Sequence, residues 1–150
     1  MNLILSIFYC CLFSCLLMVE AESVFAKCAE QYYNTSTDKE ILCKITKLAV
    51  DANMLKMVDF MNCGLKNLGY YNEGKKEMNV NNVLEGMTEL GYSKEQEVKD
   101  VIGECKTEFG ANITALDYLS CLLIDDKTRR EFKMLIMTKE ADFLKQNFCS

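Results

Sequence analysis

Apolar residues follow two different rules along this chain. From Leu3 to Val19 they run almost unbroken, whereas from Ser23 onward they return every three or four positions, the spacing of one face of an α-helix. The first run is shorter than a usual membrane span and closes on Val19-Glu20-Ala21, a small-x-small pattern suited to signal peptidase. Residues 1–21 are therefore expected to be a cleaved secretory leader; with no basic residue ahead of the apolar run, an uncleaved N-terminal anchor is the alternative. Residues 22–150 are then the mature chain, a length suited to one domain. No second long apolar run follows, so no membrane association is expected once the leader is removed.

The periodic part predicts seven helices. Ser23 can cap a short first helix reaching about Tyr33, with Phe25 and Ala29 among its apolar positions. Thr37 to Glu40, "TDKE", has capping-box spacing and opens a second helix carrying Ile41, Ile45 and Leu48. The third has the clearest stripe, Met54, Met57, Val58, Met61, Leu65 and Leu68, and Gly69 stops it. Tyr70 to Lys76, with Asn72 and Gly74, reads as a turn. A fourth helix runs from about Asn79 to Leu90 and is closed by Gly91. Ser93 to Gln96 repeats the capping-box spacing before a helix that puts Val98, Val101, Ile102, Cys105 and Phe109 on one side and ends at Gly110. The sixth, near Thr114 to Ile124, is apolar on most sides and so should be central. The last, about Thr128 to Gln146, turns Phe132, Leu135, Ile136 and Phe143 to one face. No segment shows strand alternation. The fold class is all-α, a compact bundle of six or seven short helices around an apolar core or cavity.

Composition sharpens this outline. The chain has no proline and no histidine, and its formal net charge of −5 stays negative when Glu20 leaves with the leader. Nucleic acid and anionic membranes are poor partners for such a chain. Without imidazole, Ser/His and Cys/His catalysis and histidine metal sites are excluded. Asp125 and Asp126 are adjacent acids at a helix start, a capping arrangement with no matched base or nucleophile, so no enzymatic activity, cofactor or metal is expected. The charged runs "SKEQEVKD" and "DDKTRREFK" read as a solvated helical face and a helix start.

Of the nine cysteines, Cys10, Cys11 and Cys15 leave with the leader. Cys28, Cys43, Cys63, Cys105, Cys121 and Cys149 remain, an even set that reads as three disulfides in an oxidising compartment, with connectivity left open by spacing. A cysteine in mid-helix, such as Cys63, can tie its helix to a neighbour without disturbing the backbone. Cys105 and Cys121 flank the turn at Gly110 and could staple an antiparallel helix pair. Two Asn-x-Ser/Thr tripeptides, at Asn34 and Asn112, fall in predicted turns and are candidate glycosylation sites. The apolar positions are rich in adaptable side chains: Met54, Met57, Met61, Met87, Met134 and Met137, with Phe60, Phe109, Phe132, Tyr70, Tyr71, Tyr92 and Tyr118. Methionine can re-pack around varied ligands, and the same stripe also suits an ordinary core.

Phe60 to Met87, "FMNCGLKNLGYYNEGKKEMNVNNVLEGM", resembles the centre of the insect odorant- and pheromone-binding proteins, where a cysteine-bearing helix is followed by a polar turn and another helix. Val98 to Leu123, "VKDVIGECKTEFGANITALDYLSCLL", is similar to that family's later cysteine helices. The family's second cysteine is absent, position 59 being Asp59, and no cysteine lies between Cys105 and Cys121. Both absences match the reduced-cysteine branch, which loses that pair together. The resemblance implies pairs Cys28–Cys63 and Cys105–Cys121, leaving Cys43 and Cys149 for a third bridge. It also implies a secreted, non-enzymatic carrier of a small hydrophobic ligand such as a lipid. We place the ligand-lining residues at Met57, Met61, Tyr71, Met87, Tyr118, Phe132 and Ile136. A weaker likeness, in "CAEQYYNTSTDKEILC" and "YSKEQEVKDVIGEC", is to the tick microplusin-type helical proteins. Those chelate metal through histidines, so that likeness bears on fold and arthropod origin alone. The alternative function on the same scaffold is a host-defence, salivary or venom effector that contacts a protein receptor or target. A filled core would favour it over a cavity.

Overall fold

A computed structural model describes residues 22–149; the expected leader lies outside the described residues. The elements are α1 (Val24–Tyr32), α2 (Lys39–Thr46), α3 (Met57–Asn67), β1 (Tyr71–Asn72), β2 (Glu77–Met78), α4 (Val80–Glu89), α5 (Glu95–Phe109), α6 (Ala115–Ile124), α7 (Arg129–Lys139) and α8 (Ala141–Leu144). The all-α class stands, with one small addition. Tyr70 to Lys76 does turn the chain, but its flanks pair as a two-residue antiparallel ladder, Tyr71 opposite Met78 and Asn72 opposite Glu77. Two residues are too few to produce a visible alternation in sequence.

Helix α6 is the hub. Ala115, Leu116, Tyr118, Leu119 and Leu122 are all buried, and α3, α5 and α7 pack around it. Helix α1 lies on α3, α4 joins α5 to α7, and α2 meets α8 at the other end. Three disulfides tie these layers together. Cys28–Cys63 joins α1 to α3 and Cys105–Cys121 joins α5 to α6, each with α-carbons 6.0 Å apart, and Cys43–Cys149 fastens the C-terminal segment to α2 at 4.9 Å. The first two are the pairs that the family resemblance implies, and the third joins the two cysteines it leaves over.

Several helix ends differ from the sequence reading, for identifiable reasons. Ser23 caps α1 as expected, its hydroxyl accepting the Ala26 amide. At α2 the N-cap is Asp38 without a side-chain cap, because its carboxylate instead accepts the Asn34 amide at 2.8 Å and closes the preceding turn. At α5 the N-cap is Lys94, and Gln96 donates forward to Asp100 rather than back to Ser93. The reciprocal box occurs at Thr114 and Asp117 of α6. Helix α3 starts at Met57 and not Met54: residues 52–56 are successive turns ending in a left-handed Lys56, and three-residue turns keep the apolar spacing of a helix. The last predicted helix is split at Glu140, whose buried carboxylate accepts the Phe25 amide at 2.8 Å and the Ser23 hydroxyl. Met134, Met137 and Phe109, grouped with the interior set, are exposed. On α7 the inner stripe is Phe132, Leu135 and Ile136, and the other two positions face away.

Phe25 packs edge-on to Phe60 and Phe143, with ring centroids 5.4 and 6.1 Å away. Gly64 of α3 makes room for it: a Cβ there would stand 2.7 Å from Phe25 Cε1. The ring is held on two sides and cannot swing aside. We expect Gly64→Ala to lower the unfolding free energy by about 1 kcal/mol, an overpacking cost of roughly 1–3 kcal/mol outweighing alanine's helical advantage of about 1 kcal/mol. Gly103→Ala on α5, where the new methyl group meets nothing within 4 Å, should stabilise instead. Denaturant unfolding of both variants measures the opposite signs.

Candidate functional site

The seven lining candidates come from five elements. Met57 and Met61 stand on α3, Tyr71 on β1, Met87 on α4, Tyr118 on α6, and Phe132 and Ile136 on α7. Each is at most 3 % exposed, and all belong to one continuous core. They are packed into the protein's interior rather than arranged around one open crevice. Met87 borders a solvent-open crevice of about 210 Å³ with Leu90, Tyr92, Arg130 and Met134. Tyr71 borders a different one, beside Gly69, Asn79 and Asn82.

Polar groups inside this apolar region are nearly all bonded. Tyr71 donates its hydroxyl to the Ile113 carbonyl at 2.9 Å, Tyr33 donates to Leu55 at 2.9 Å, and Thr128 donates to Leu122 at 3.0 Å. Glu140 is satisfied by Ser23 and Phe25. The exception among the described residues is Tyr118, whose buried hydroxyl makes no hydrogen bond of ordinary geometry and has only the Met78 backbone near it. Its ring meets that of Tyr71 edge-on at 6.2 Å. Burial pushes the phenol's pKa up, against the opposing pull of the Met78 backbone and Lys106. Such a group can donate or accept one hydrogen bond if a guest brings the complement, and until then it carries a desolvation penalty.

The β1–β2 turn beside Tyr71 is strapped down on both sides. Glu77 pairs with Lys106 of α5 at 2.5 Å, and Glu73 pairs with Lys66 of α3 at 2.9 Å. The hydrogen bonds from the lysines hold both carboxyls below their ordinary pKa, so these straps are present above the usual carboxylate range and lost as pH falls through the depressed values. The residues that could ligate a metal are not gathered: among the described residues no group of three or more His, Cys, Asp or Glu side chains could hold one. No described helix is long and apolar enough to cross a membrane.

Sequence reasoning missed Glu140 and the Thr114–Asp117 box. Both left a trace. Glu140 falls four residues after Ile136, on the continuation of α7's inner stripe, and Thr-x-x-Asp precedes the most apolar helix of the chain. The two candidate glycosylation positions, Asn34 and Asn112, are both exposed in turns.

Two outcomes follow from the tyrosines. Tyr118→Phe removes an unbonded buried hydroxyl, and we expect it to stabilise the ligand-free protein by about 1 kcal/mol in denaturant unfolding. Burial pushes Tyr33, Tyr70 and Tyr71 from 10.0 up to about 12. The stability these phenols contribute is therefore complete below the unfolded-chain value of 10.0 and is lost as pH rises through about 12. Phenolate absorbance followed alongside unfolding at increasing pH checks both the late ionisation and the loss.

Comparison with known proteins places this geometry. The model of the PBP/GOBP family matches residues 13–124, which ends at the last residue of α6. The chain is 44% identical over 133 residues to the short form salivary protein D7S1 of Aedes aegypti, covering 89% of this chain and 88% of that protein. It is 30% identical over 117 residues to the long form salivary protein D7L1 of Aedes albopictus, covering 75% of this chain but 34% of that longer protein. A neutrophil recruitment protein of Aedes aegypti is 24% identical over 140 residues. With its three disulfides on a mostly helical scaffold and a family match across most of its length, the chain belongs to the PBP/GOBP family of small-ligand-binding proteins.

Proposed function

We propose that this chain is a secreted, non-enzymatic carrier that holds a small hydrophobic ligand within its helical interior, lined by Met57, Met61, Tyr71, Met87, Tyr118, Phe132 and Ile136. The observation that carries the reading is the unpaired hydroxyl of Tyr118 inside an otherwise apolar, methionine-rich core. A ligand that donates to or accepts from this phenol relieves its desolvation penalty, and the surrounding methionines re-pack around the apolar remainder. Each buried methylene adds roughly 0.8 kcal/mol, so a medium-length chain reaches micromolar affinity after the entropic costs of binding. Family membership and the salivary relatives support extracellular work of this kind. Residues 1–21 act as the leader in this reading, and glycans at Asn34 and Asn112 suit the same route.

A second reading has its own observation. The seven residues are packed at 0–3% exposure, while Leu55, Ile124, Met134 and Met137 are exposed. A filled core with apolar surface residues suits an effector that acts through protein contacts, and the name of one relative, the neutrophil recruitment protein, points the same way.

Native mass spectrometry of the secreted protein, before and after delipidation, followed by displacement of a fluorescent apolar probe, separates the two. The carrier reading expects a co-purifying small molecule or saturable one-to-one displacement. Met61→Trp should then weaken probe binding with the helical spectrum intact, and Tyr118→Phe should weaken ligands that carry a hydrogen-bonding group more than the bare hydrocarbon of equal size. A bare mass without saturable probe binding would turn the assignment to the effector.

A further inference from the structure

We propose that Asn112 is a conditional glycosylation site, one that receives an N-glycan only while the α5–α6 hairpin is still open, whereas Asn34 stays available throughout folding. The proposal rests on the secreted reading, because glycan transfer takes place in the secretory pathway. In the transfer, Nδ2 of the asparagine bonds to the anomeric carbon of a lipid-linked oligosaccharide pyrophosphate. One amide proton is lost and the lipid pyrophosphate leaves.

Transfer needs more than an exposed asparagine. The Asn-x-Ser/Thr tripeptide has to lie extended in the transferase, with the hydroxyl of its third residue free to be bound. The folded chain withdraws every part of the second tripeptide except the asparagine itself. Ile113 is 1% exposed, and its carbonyl accepts the Tyr71 hydroxyl at 2.9 Å. Thr114 donates its hydroxyl to Asp117 Oδ2 at 2.7 Å and accepts the Asp117 amide at 3.2 Å, while its own amide donates to the same carboxylate at 2.8 Å. The hydroxyl that transfer requires is the N-cap of the central helix.

Timing separates the two sites. The tripeptide at Asn112 lies between Cys105 and Cys121, only 16 residues apart, and its capping bonds span three residues. Contacts of such short range form before long-range ones, so the acceptor disappears as soon as this hairpin closes. At the first tripeptide, Asn34, Thr35 and Ser36 are all exposed and lie outside the core; they form a surface turn in which Asn34 Oδ1 accepts the Ser36 amide at 2.8 Å, a bond that leaves the Ser36 hydroxyl to solvent. The disulfides around it reach much further along the chain, with separations of 35 and 106 residues, and depend on segments made later.

The test is site-resolved glycopeptide mass spectrometry on all chains, intracellular and secreted, of the full-length protein expressed with its own leader in insect cells. Asn34 should be occupied in nearly every chain and Asn112 in a minority. A mild thiol reductant during synthesis, or Cys105→Ser with Cys121→Ser, should raise Asn112 occupancy severalfold and leave Asn34 unchanged. Asp117→Ala keeps both cysteines and opens only the cap, and should give a smaller rise. Because intracellular chains are counted, a variant that fails to fold still reports. Equal occupancy at both sites in the unaltered protein, or low Asn112 occupancy that none of these changes moves, would overturn the proposal. A chain that keeps residues 1–21 and carries no glycan at either site defeats the secreted reading, and the proposal with it.

Discussion

Helix α6 has to be covered on almost every side, and the rest of the molecule is arranged to do so. Its sequence, "ALDYLSCLLI", carries one charged residue, Asp117, and that side chain is bonded to Thr114 at the helix start. Three helices are enough to surround a central one, and α3, α5 and α7 fill that role. Each supplies a narrow apolar stripe, Met57 to Leu65 on α3, Val98 to Cys105 on α5 and Phe132 to Ile136 on α7, with charged residues on the outer faces. The hydrophobic effect thus decides the layering, and the Cys105–Cys121 bridge holds the hub to one of its covers.

The polar groups that enter this interior are placed where backbone would otherwise be unpaired. Glu140 reaches across the chain to the first turn of α1, where backbone amides lack intrahelical partners, and in doing so breaks the C-terminal helix into two. That contact joins the two ends of the folded chain. Asp117 serves α6 in the same way locally. Tyr118 differs from both, since it brings a hydroxyl into the core and makes no hydrogen bond of ordinary geometry there. A structural role alone would be met as well by phenylalanine, which is why this side chain carries weight in the functional reading.

Carrier and effector readings differ in what the methionines do. In a rigid core, Met57, Met61 and Met87 are filling, and specificity lies on the exposed surface. In a carrier they are the adjustable part, able to change rotamers at small cost while the disulfides keep the helices in register. The three bridges fix α1 to α3, α5 to α6 and α2 to the C-terminal segment, but none reaches α4 or α7. Those two helices, which carry Met87, Phe132 and Ile136, are held to the others by packing and by ordinary polar contacts.

The sequence by itself determined the helical class, the approximate position of nearly every helix, the centrality of α6 and the burial of all seven lining candidates. Apolar spacing and glycine stops are local properties, and burial follows from which stripe a residue occupies. Tertiary structure decided the points at which distant groups compete with local ones. Asp38 was drawn from its capping role by the Asn34 amide, and Glu140 interrupted a periodic helix to reach Phe25. Lys56 ended a run of turns that imitates helical spacing, and the β1–β2 ladder is held by ion pairs to α3 and α5. No spacing rule shows which hydroxyl will find a partner, because that depends on atoms brought together from different helices. Tyr71 and Tyr118 look alike in the sequence, yet one meets the Ile113 carbonyl and the other meets none.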